Sequence, residues 1–419
     1  MSSSPAPLLL APAGNWSCLS AALQNGADAV YFGVGKWNMR SRANTNFREE
    51  ELPEVVKRCH EAGVKAWLTV NIIAYDGELP EFQRLLEQAK SAGVDAVIGA
   101  DPAVLLRARA LGLPVHISVQ ANVSNLEAIA FYAPYADTVV AARELTLEQL
   151  SALAQGIRER ELRGPSGELV RLEAFVHGAL CIGLSGRCGM SLCEYNASSN
   201  RGSCYQPCRR EYLVRDAETG VEFRLENQYI MSPKDLCTIG GLPLLLEAGV
   251  SVLKIEGRGR SADYVATVTR TYREALDFWR QGKTPSPSQI QQWREALAQV
   301  FNRQFWEGGY YYGRQSHIWA GDRDSQATVR KHFLGIVTHY YPRPKVAELL
   351  LQAGNLRKGD RILVTGPTTG ALEFSVPSLQ VREKETDFAG IGSQPTLPFP
   401  QKLRPNDKVF LLEDLSDPT

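Results

Sequence analysis

The chain has 419 residues, of which 44% are hydrophobic and 22% are charged, a length and composition typical of a globular protein with two domains. Lys+Arg and Asp+Glu are both 46, so no overall charge attracts nucleic acid or an anionic membrane, and a nucleic-acid partner would need a local basic surface. No apolar run reaches the roughly 18 residues of a membrane span, and the N-terminal residues do not resemble a signal peptide, so we expect a cytoplasmic protein without membrane contact.

Residues 1–275 alternate short apolar segments with helical patterns that end in glycine. This alternation predicts parallel strands with right-handed crossovers, and eight strands close a TIM-type (β/α)8 barrel. An open doubly wound sheet is the alternative, although no GxGxxG follows the first strand. The predicted strands are residues 7–14, 28–34, 65–71, 95–101, 114–120, 137–143, 172–178 and 251–258.

The regular spacing stops after the seventh strand, where residues 179–250 form an insertion. Since the loops after the strands build the active face of a TIM barrel, we expect this insertion to lie beside the active site. It contains five of the eight cysteines: Cys181, Cys188, Cys193, Cys204 and Cys208.

The pattern changes again after the eighth strand. Residues 276–332 are predicted to be a helical extension with a linker, and residues 333–419 contain short strands and turns without clear helices. The latter pattern predicts a small C-terminal β-barrel, which is a frequent accessory domain.

Four kinds of chemistry could explain the cysteines. Disulfides are the weakest, because thiols stay reduced in the cytosol. The spacing has no CxxC knuckle of a structural zinc site, whereas iron–sulfur clusters tolerate wide ligand separations. We favour an iron–sulfur cluster; zinc, a catalytic or redox thiol, and packing as small hydrophobic residues remain alternatives. Because Cys181/Cys188 and Cys204/Cys208 form two flanking pairs, Cys193 is the expected spare thiol.

Polar residues at the predicted strand ends are candidates for a substrate pocket, although hydrogen bonding at the barrel mouth would also explain them. The eighth strand ends in alternating charges, which rarely serve stability, with a salt-bridged rim as the alternative. The strand-end candidates are Asn71, Asp101, Gln120, Asn122, Arg143, His177, Lys254, Glu256, Arg258 and Arg260.

Basic and aromatic residues could contact RNA near this end of the barrel. Trp37, Tyr205 and the aromatic residues at 305–312 could stack on an unpaired base, although packing is the better explanation for the last group. The arginines of a possible basic rim are Arg40, Arg42, Arg48, Arg201, Arg209 and Arg210, which could equally form a solvated surface.

Several separated motifs resemble the collagenase-like peptidase family of unknown mechanism over essentially the whole chain: LLAPAGN, NGADAVYFG, SVQAN, EAFVHGALCIGLSGRCGMS and KIEGRGRS. The family name implies proteolysis. Its better-understood branches are iron–sulfur proteins that hydroxylate the tRNA wobble uridine, an rRNA cytidine or ubiquinone rings. The C-terminal β-barrel is similar to the branch that makes 5-hydroxyuridine in tRNA.

The resemblance implies a [4Fe–4S] cluster on Cys181, Cys188, Cys204 and Cys208, with Cys193 as an addition. It also implies oxygen-independent hydroxylation of a uridine in the tRNA anticodon loop, with prephenate as a co-substrate. Arginine side chains suit such a dicarboxylate, and Arg143 and Arg258 are the candidates to bind it. The expected catalytic residues are Arg143, His177, Glu256 and Arg258.

Proteolysis is the first alternative function, and hydroxylation of an rRNA cytidine or of a quinone precursor is the second. The peptidase motifs are incomplete. His60 begins an HExxH-like sequence that ends in Val64 instead of histidine, and the sequence around Ser185 departs from GxSxG.

Overall fold

A computed structural model describes residues 6–42, 46–223, 231–313, 318–320 and 325–415. Parts of the predicted insertion and extension, residues 224–230, 314–317 and 321–324, lie outside the described residues. The N-terminal part is a barrel whose first seven strands are parallel and neighbour one another in chain order. These strands are β1 (Leu8–Ala13), β2 (Ala29–Phe32), β3 (Lys65–Val70), β4 (Ala96–Gly99), β5 (Val115–Ile117), β6 (Thr138–Val140) and β7 (Arg171–Ala179).

Helices connect these strands, and their ends have the expected capping residues. Asn15 accepts a hydrogen bond from the Cys18 amide at the start of the first helix, and Thr146 forms a capping box with Gln149 at the sixth. Gly93 ends the third in the left-handed conformation, with φ 79°. The helices are α1 (Trp16–Gln24), α2 (Leu52–Glu61), α3 (Leu79–Ala92), α4 (Pro102–Ala110), α5 (Leu126–Tyr132) and α6 (Leu147–Glu159).

The insertion after β7 adds short elements. One of them, β10, pairs antiparallel with the end of β7, with Leu236 opposite Gly178. This pairing fixes the return of the chain beside the carboxyl end of the barrel. The insertion elements are α7 (Met190–Tyr195), β8 (Val214–Arg215), β9 (Glu222–Phe223), β10 (Asp235–Cys237) and α8 (Leu242–Glu247).

The eighth barrel strand, β11 (Val252–Ile255), closes the barrel because it pairs in parallel with both β7 and β1. It is followed by α9 (Ala262–Arg280), α10 (Pro287–Ala298) and β12 (Phe305–Glu307), which pairs with β10. The eight parallel strands with a cysteine-containing insertion after the seventh confirm the predicted TIM-type barrel.

The barrel interior is filled below its carboxyl end. Apolar and aromatic side chains such as Tyr31 and Trp67 form an inner cluster. Glu173 and Lys254 form an ion pair of 2.6 Å between Oε1 and Nζ, and their side chains are 0% and 7% exposed. The barrel is therefore closed at its centre, and a ligand can approach the open carboxyl end only from outside.

The C-terminal part has its own apolar core beneath an eight-stranded antiparallel sheet and a two-stranded sheet. It contacts the barrel through α1, where Ser20 Oγ donates to the Pro367 carbonyl oxygen at 2.7 Å. Among the described residues, no helix is both long enough and apolar enough to cross a membrane. The strands are β13 (Val329–Tyr341), β14 (Val346–Leu351), β15 (Leu356–Arg357), β16 (Arg361–Gly366), β17 (Gly370–Ser375), β18 (Leu379–Val381), β19 (Lys384–Thr386), β20 (Phe388–Ala389), β21 (Pro395–Pro398) and β22 (Lys408–Asp414).

Candidate functional site

The open carboxyl end of the barrel contains a cavity of about 160 Å³. One water needs roughly 10–15 Å³ by the same measure, so the cavity has room for a ligand of several heavy atoms. In TIM barrels the loops at this end build the active site. The polar and sulfur-bearing residues of its walls include Tyr31, Arg40, Thr69, Asn71, Ser118, Gln120, Arg143, Cys181, Cys188, Cys204, Cys208, Lys254, Glu256 and Arg258.

The four cysteines predicted as cluster ligands all line this cavity. Cys181 follows β7, Cys188 precedes α7, and Cys204 and Cys208 lie in the loop after α7. Cys193 lies on α7, is exposed and does not line the cavity. The fold therefore brings the four predicted ligands to one place and leaves out the predicted spare thiol.

The backbone around these thiols is tightly packed. A Cβ at Gly183 would lie 2.8 Å from the Cβ of Cys188, so glycine is required for this approach. The Met190 amide donates to Cys188 Sγ at 3.4 Å, and such donors tune cluster-bound thiolates. Burial raises the pKa of the Cys208 thiol to about 11; the Arg209 charge lowers it, and the other three cavity cysteines raise it further. All four thiols thus interact electrostatically.

The spacing of the thiols limits the metal group that they could hold. Within the described part of the chain, no three His, Cys, Asp or Glu side chains converge as the ligands of one metal ion. A tetrahedral zinc site requires all four sulfurs at about 2.3 Å from a single ion. A polynuclear cluster distributes its thiolates over several irons, and four cysteines on the walls of one cavity are a donor set that fits such a cluster.

Glu256 is the carboxylate of the cavity, and it follows β11 directly. Its Oε1 accepts from Arg40 Nη2 at 2.7 Å, and its Oε2 lies 3.3 Å from the Tyr31 hydroxyl. Burial by itself raises the pKa of Glu256, but the charge of Arg40, supported by Arg143 and Arg258, lowers it to about 2. Glu256 is therefore an ionised hydrogen-bond acceptor at neutral pH.

Arg143 and Arg258, the predicted anion-binding pair, both line the cavity but differ in the contacts that hold their side chains. Arg143 stacks on the Phe175 ring at 3.8 Å and donates to a backbone carbonyl oxygen. Arg258 is 4% exposed and donates to Thr69 Oγ1 at 2.5 Å and to Asn38 Oδ1 at 2.6 Å. Burial lowers the pKa of Arg258 to about 10. Arg258 is thus held in place in the wall of the cavity.

Amide and hydroxyl groups form another part of the cavity wall. Asn71 Nδ2 donates to Ser118 Oγ at 3.2 Å and to Gln120 Oε1 at 3.0 Å. Donors and acceptors of this kind can read the edge of a planar base. Of the other candidates, Asp101 caps α4, and neither Asp101 nor Asn122 lines the cavity.

His177 does not line the cavity, although it lies at the end of β7. It is 2% exposed, and its ring packs against Tyr272 of α9 at 5.5 Å. The cause is a bulge, because Lys254 pairs with Phe175 whereas the next residue, Ile255, pairs with His177. The extra residue on β7 turns His177 outward, and burial lowers its pKa to about 3.

A second chamber of about 220 Å³ adjoins the first and shares three of the cysteines with it. Its walls are rich in guanidinium groups, which include Arg209, Arg260 and Arg303. Asp235, which is 1% exposed, lies 3.8 Å from Arg260 and 3.5 Å from Arg303. One buried carboxylate therefore faces several arginines, so the chamber favours an anion.

Tyr31 and Arg303 in the chamber walls, and Asp235 behind them, were not among the sequence candidates. Tyr31 could have been found, because alternation along β2 turns it toward the interior. Asp235 and Arg303 gave no such signal, since they come together only through the pairing of the short strands β10 and β12.

The arginines of the predicted basic rim lie in different environments in the structure. Arg48 and Arg201 pair with glutamates. Arg209 donates to backbone and hydroxyl oxygens inside the second chamber. Arg42 and Arg210 are exposed and lie against tyrosine rings beside the cysteine loop.

The aromatic residues that were candidates for base stacking differ in their exposure to solvent. Trp37 is 1% exposed and packs on Phe82, so it cannot stack on a base in this structure. Tyr311 is buried and donates to a backbone carbonyl oxygen of β7 at 2.7 Å, as the packing interpretation predicts. Tyr205 is partly exposed at the cavity mouth.

Residues 14–321 match the family model described as peptidase family U32. A Porphyromonas gingivalis protein named "Collagenase" is 43% identical over 402 residues, which cover 96% of this chain and 97% of the relative. A Methanocaldococcus jannaschii protein named "Uncharacterized protease" is 38% identical over 410 residues, with 97% and 98% covered. The Bacillus subtilis "tRNA hydroxylation protein P1" is 34% identical over 373 residues, with 86% and 84% covered.

Proposed function

The chain belongs to peptidase family U32, and from this membership we propose that it is a cytoplasmic iron–sulfur protein that hydroxylates a uridine in the anticodon loop of tRNA without molecular oxygen. One observation carries the proposal: four cysteines line the same cavity as the ionised Glu256 and the cationic Arg143 and Arg258. The similarity to the Bacillus subtilis tRNA hydroxylation protein P1 supports RNA as the substrate.

Cys181, Cys188, Cys204 and Cys208 would hold a [4Fe–4S] cluster, which supplies electron transfer when bound. The proposal is supported by the cavity that the four cysteines share and by the amide donor to Cys188. Cys193 is not expected to be a ligand.

The cavity residues would bind and orient the base. Asn71 would hold Gln120 in place, the Gln120 amide group would hydrogen-bond the edge of the base, and the ionised Glu256 would accept a hydrogen bond from it. An anticodon-loop uridine is already unpaired, so it can enter without the cost of opening a duplex. The product is 5-hydroxyuridine at the wobble position.

Replacement of C5–H by C5–OH takes two electrons from the base and adds one oxygen atom. A co-substrate must therefore donate the oxygen and accept both electrons, as when an alcohol R–OH is reduced to R–H. We propose a dicarboxylate of the prephenate class, bound by Arg143 and Arg258 between the two chambers. Guanidinium groups bind carboxylates in bidentate fashion, and the arginine-rich second chamber supports an anionic ligand here.

Nucleoside mass spectrometry of total tRNA from a gene deletion tests this function. We expect 5-hydroxyuridine to disappear and to return with the wild-type gene and with Cys193→Ser, but not with Cys188→Ser. The purified Cys188→Ser protein should also lose iron and sulfide, whereas Cys193→Ser should retain both. Unchanged 5-hydroxyuridine in a deletion strain without a paralogue would contradict the proposal, and a change confined to rRNA cytidine or to quinones would assign the alternative substrates.

Proteolysis is the second candidate, because a relative named Collagenase is similar over almost the whole chain. The geometry offers it little support. Ser185 Oγ donates to Asn122 Oδ1 at 2.6 Å rather than to a histidine, and His60 pairs with Asp95 on the outside of the barrel. Cleavage of gelatin that survives replacement of the four cavity cysteines would favour a peptidase.

A further inference from the structure

Four side chains form a continuous stack at the mouth of the cavity, and neither the cluster nor the base pocket uses it. The guanidinium of Arg42 lies 3.5 Å from the centre of the Tyr205 ring. Tyr205 is stacked on Tyr195, with ring centres 4.8 Å apart and an interplanar angle of 21°. The Arg210 guanidinium lies 4.9 Å from the centre of the Tyr195 ring and donates to the Tyr195 hydroxyl. We call these four residues the arginine–tyrosine stack.

The stack lies next to the proposed chemistry. Tyr205 follows the cavity residue Cys204 directly, and its amide donates to Ser191 Oγ, another cavity residue, at 3.0 Å. Arg42 comes from the loop after β2, so the stack also connects the barrel to the insertion.

Charge and exposure favour an anionic partner with planar groups. The segment from Cys181 to Arg215 has five arginines and two glutamates, although the whole chain has 46 residues of each sign. Glu194 lies 3.6 Å from Arg210, which leaves Arg42 as the more cationic end. Leu184 and Leu192, 56% and 47% exposed, add apolar surface to the same insertion.

The ring faces are already covered, so the stack presents guanidinium planes rather than tyrosine faces at its two ends. Arg guanidinium planes stack on unpaired bases and donate to phosphates. The tyrosines limit the rotamers of both arginines and so reduce the entropy lost on binding. A structural brace alone would not need an exposed cation at the Arg42 end.

We propose that the arginine–tyrosine stack is a binding surface for the single-stranded part of the RNA that flanks the modified base, with Arg42 and Arg210 each contacting a phosphate. This inference rests on the proposed function, and it assigns the RNA contact to residues outside the cavity. The competing occupant of the same surface is a partner protein.

The test is the salt dependence of binding between the protein and an anticodon stem–loop RNA, measured by fluorescence anisotropy under anaerobic conditions. Each phosphate contact in single-stranded RNA contributes about 0.7 to the slope of log affinity against log salt. We expect Arg42→Gln to lower the slope by about 0.7, and the double variant Arg42→Gln/Arg210→Gln by about 1.4, with an affinity loss of about tenfold or more at low salt. Iron content should not change.

Two variants serve as controls. Arg158→Gln removes an exposed arginine at the end of α6, which precedes β7 and so faces the opposite end of the barrel; it should bind like the wild type. Arg42→Lys keeps the positive charge but loses the planar guanidinium group. It should therefore keep the salt dependence of binding and bind the RNA more weakly. Arg42 lies outside the cysteine insertion, so its variants change no residue of the cluster loop, and their iron content reports whether the loop is intact.

The outcomes separate the two proposals. Wild-type protein that does not bind the RNA would overturn both the RNA substrate and this surface, and wild-type binding without salt dependence would overturn the surface alone. Wild-type protein that binds, together with an Arg42→Gln variant that binds equally with the same slope, would overturn only the surface. If that variant binds RNA normally but lowers 5-hydroxyuridine in cells, the surface belongs to a partner protein and the RNA assignment is wrong.

Discussion

Replacement of Glu256 by glutamine tests the electrostatic design of the cavity directly. The carboxylate is 14% exposed and is held 2.7 Å from the Arg40 guanidinium. Arg143 and Arg258 add their charges to the same field. Glutamine has nearly the same shape but no charge, so Glu256→Gln removes the attraction and leaves three guanidinium groups without their carboxylate.

The magnitude follows from the pKa of Glu256, which falls from its ordinary value of 4.5 to about 2 in the folded protein. Each pKa unit corresponds to about 1.4 kcal/mol, so ionised Glu256 contributes about 3 kcal/mol to the free energy of unfolding. Since the folded-state pKa is lowered, this contribution is complete above pH 4.5 and disappears as the pH falls through about 2.

Urea unfolding followed by circular dichroism measures this difference. We expect Glu256→Gln to be about 3 kcal/mol less stable than the wild type at neutral pH, and the difference to fall below half at about pH 3. Glu247→Gln, at the exposed end of α8, is the matched control and should change stability by less than about 0.5 kcal/mol. A loss below about 1 kcal/mol at neutral pH, or one that is independent of pH, would refute the reasoning.

Three further variants test other parts of the site. Arg209→Gln removes three charge-assisted hydrogen bonds of 2.6–2.7 Å that hold the cysteine loop. We therefore expect the free energy of unfolding to fall by about 3 kcal/mol and iron to be lost faster to a chelator. Equal rates of iron loss in the variant and the wild type would contradict this. Lys254→Met leaves Glu173 buried without its partner and should lower the free energy of unfolding in urea by about 3–5 kcal/mol. The double variant with Glu173→Leu should recover most of this loss. Equal stability of the single and double variants would show that the pair is not coupled. His177→Phe should retain 5-hydroxyuridine formation in cells, because the ring packs outside the cavity; loss of the product in a stably folded variant would restore His177 as a catalytic candidate.

The barrel could be predicted because its signals are local. Each strand is a short apolar segment, and glycines such as Gly93 mark the helix ends. The four cavity cysteines could also be selected, since their two pairs flank one loop. The strands β10 and β12 have three residues each, which is too short for a recognisable pattern, so the second chamber was not foreseen.

Side-chain direction was the least predictable property of the site. Simple alternation along β7 turns His177 toward the cavity, but one extra residue opposite Lys254 reverses it. Trp37 follows a strand and was expected to be available, but it packs on Phe82 at 4.4 Å between ring centres. Both outcomes depend on contacts between distant segments, which no local pattern encodes.

The charges of the two chambers distinguish between the candidate functions. Cationic side chains predominate in the lining of the two chambers. Among the described residues, Glu256 is the one carboxylate of this lining, and Asp235 pairs with the lining residue Arg303. Buried charges of one sign are costly unless a counter-charge is bound. A peptide bond offers no such charge, whereas ligated thiolates, a dicarboxylate and an RNA backbone all do. The site therefore suits anionic ligands, and hydroxylation of RNA explains the excess of positive charge better than proteolysis does. The cationic lining residues are Arg40, Arg143, Arg209, Lys254, Arg258, Arg260 and Arg303.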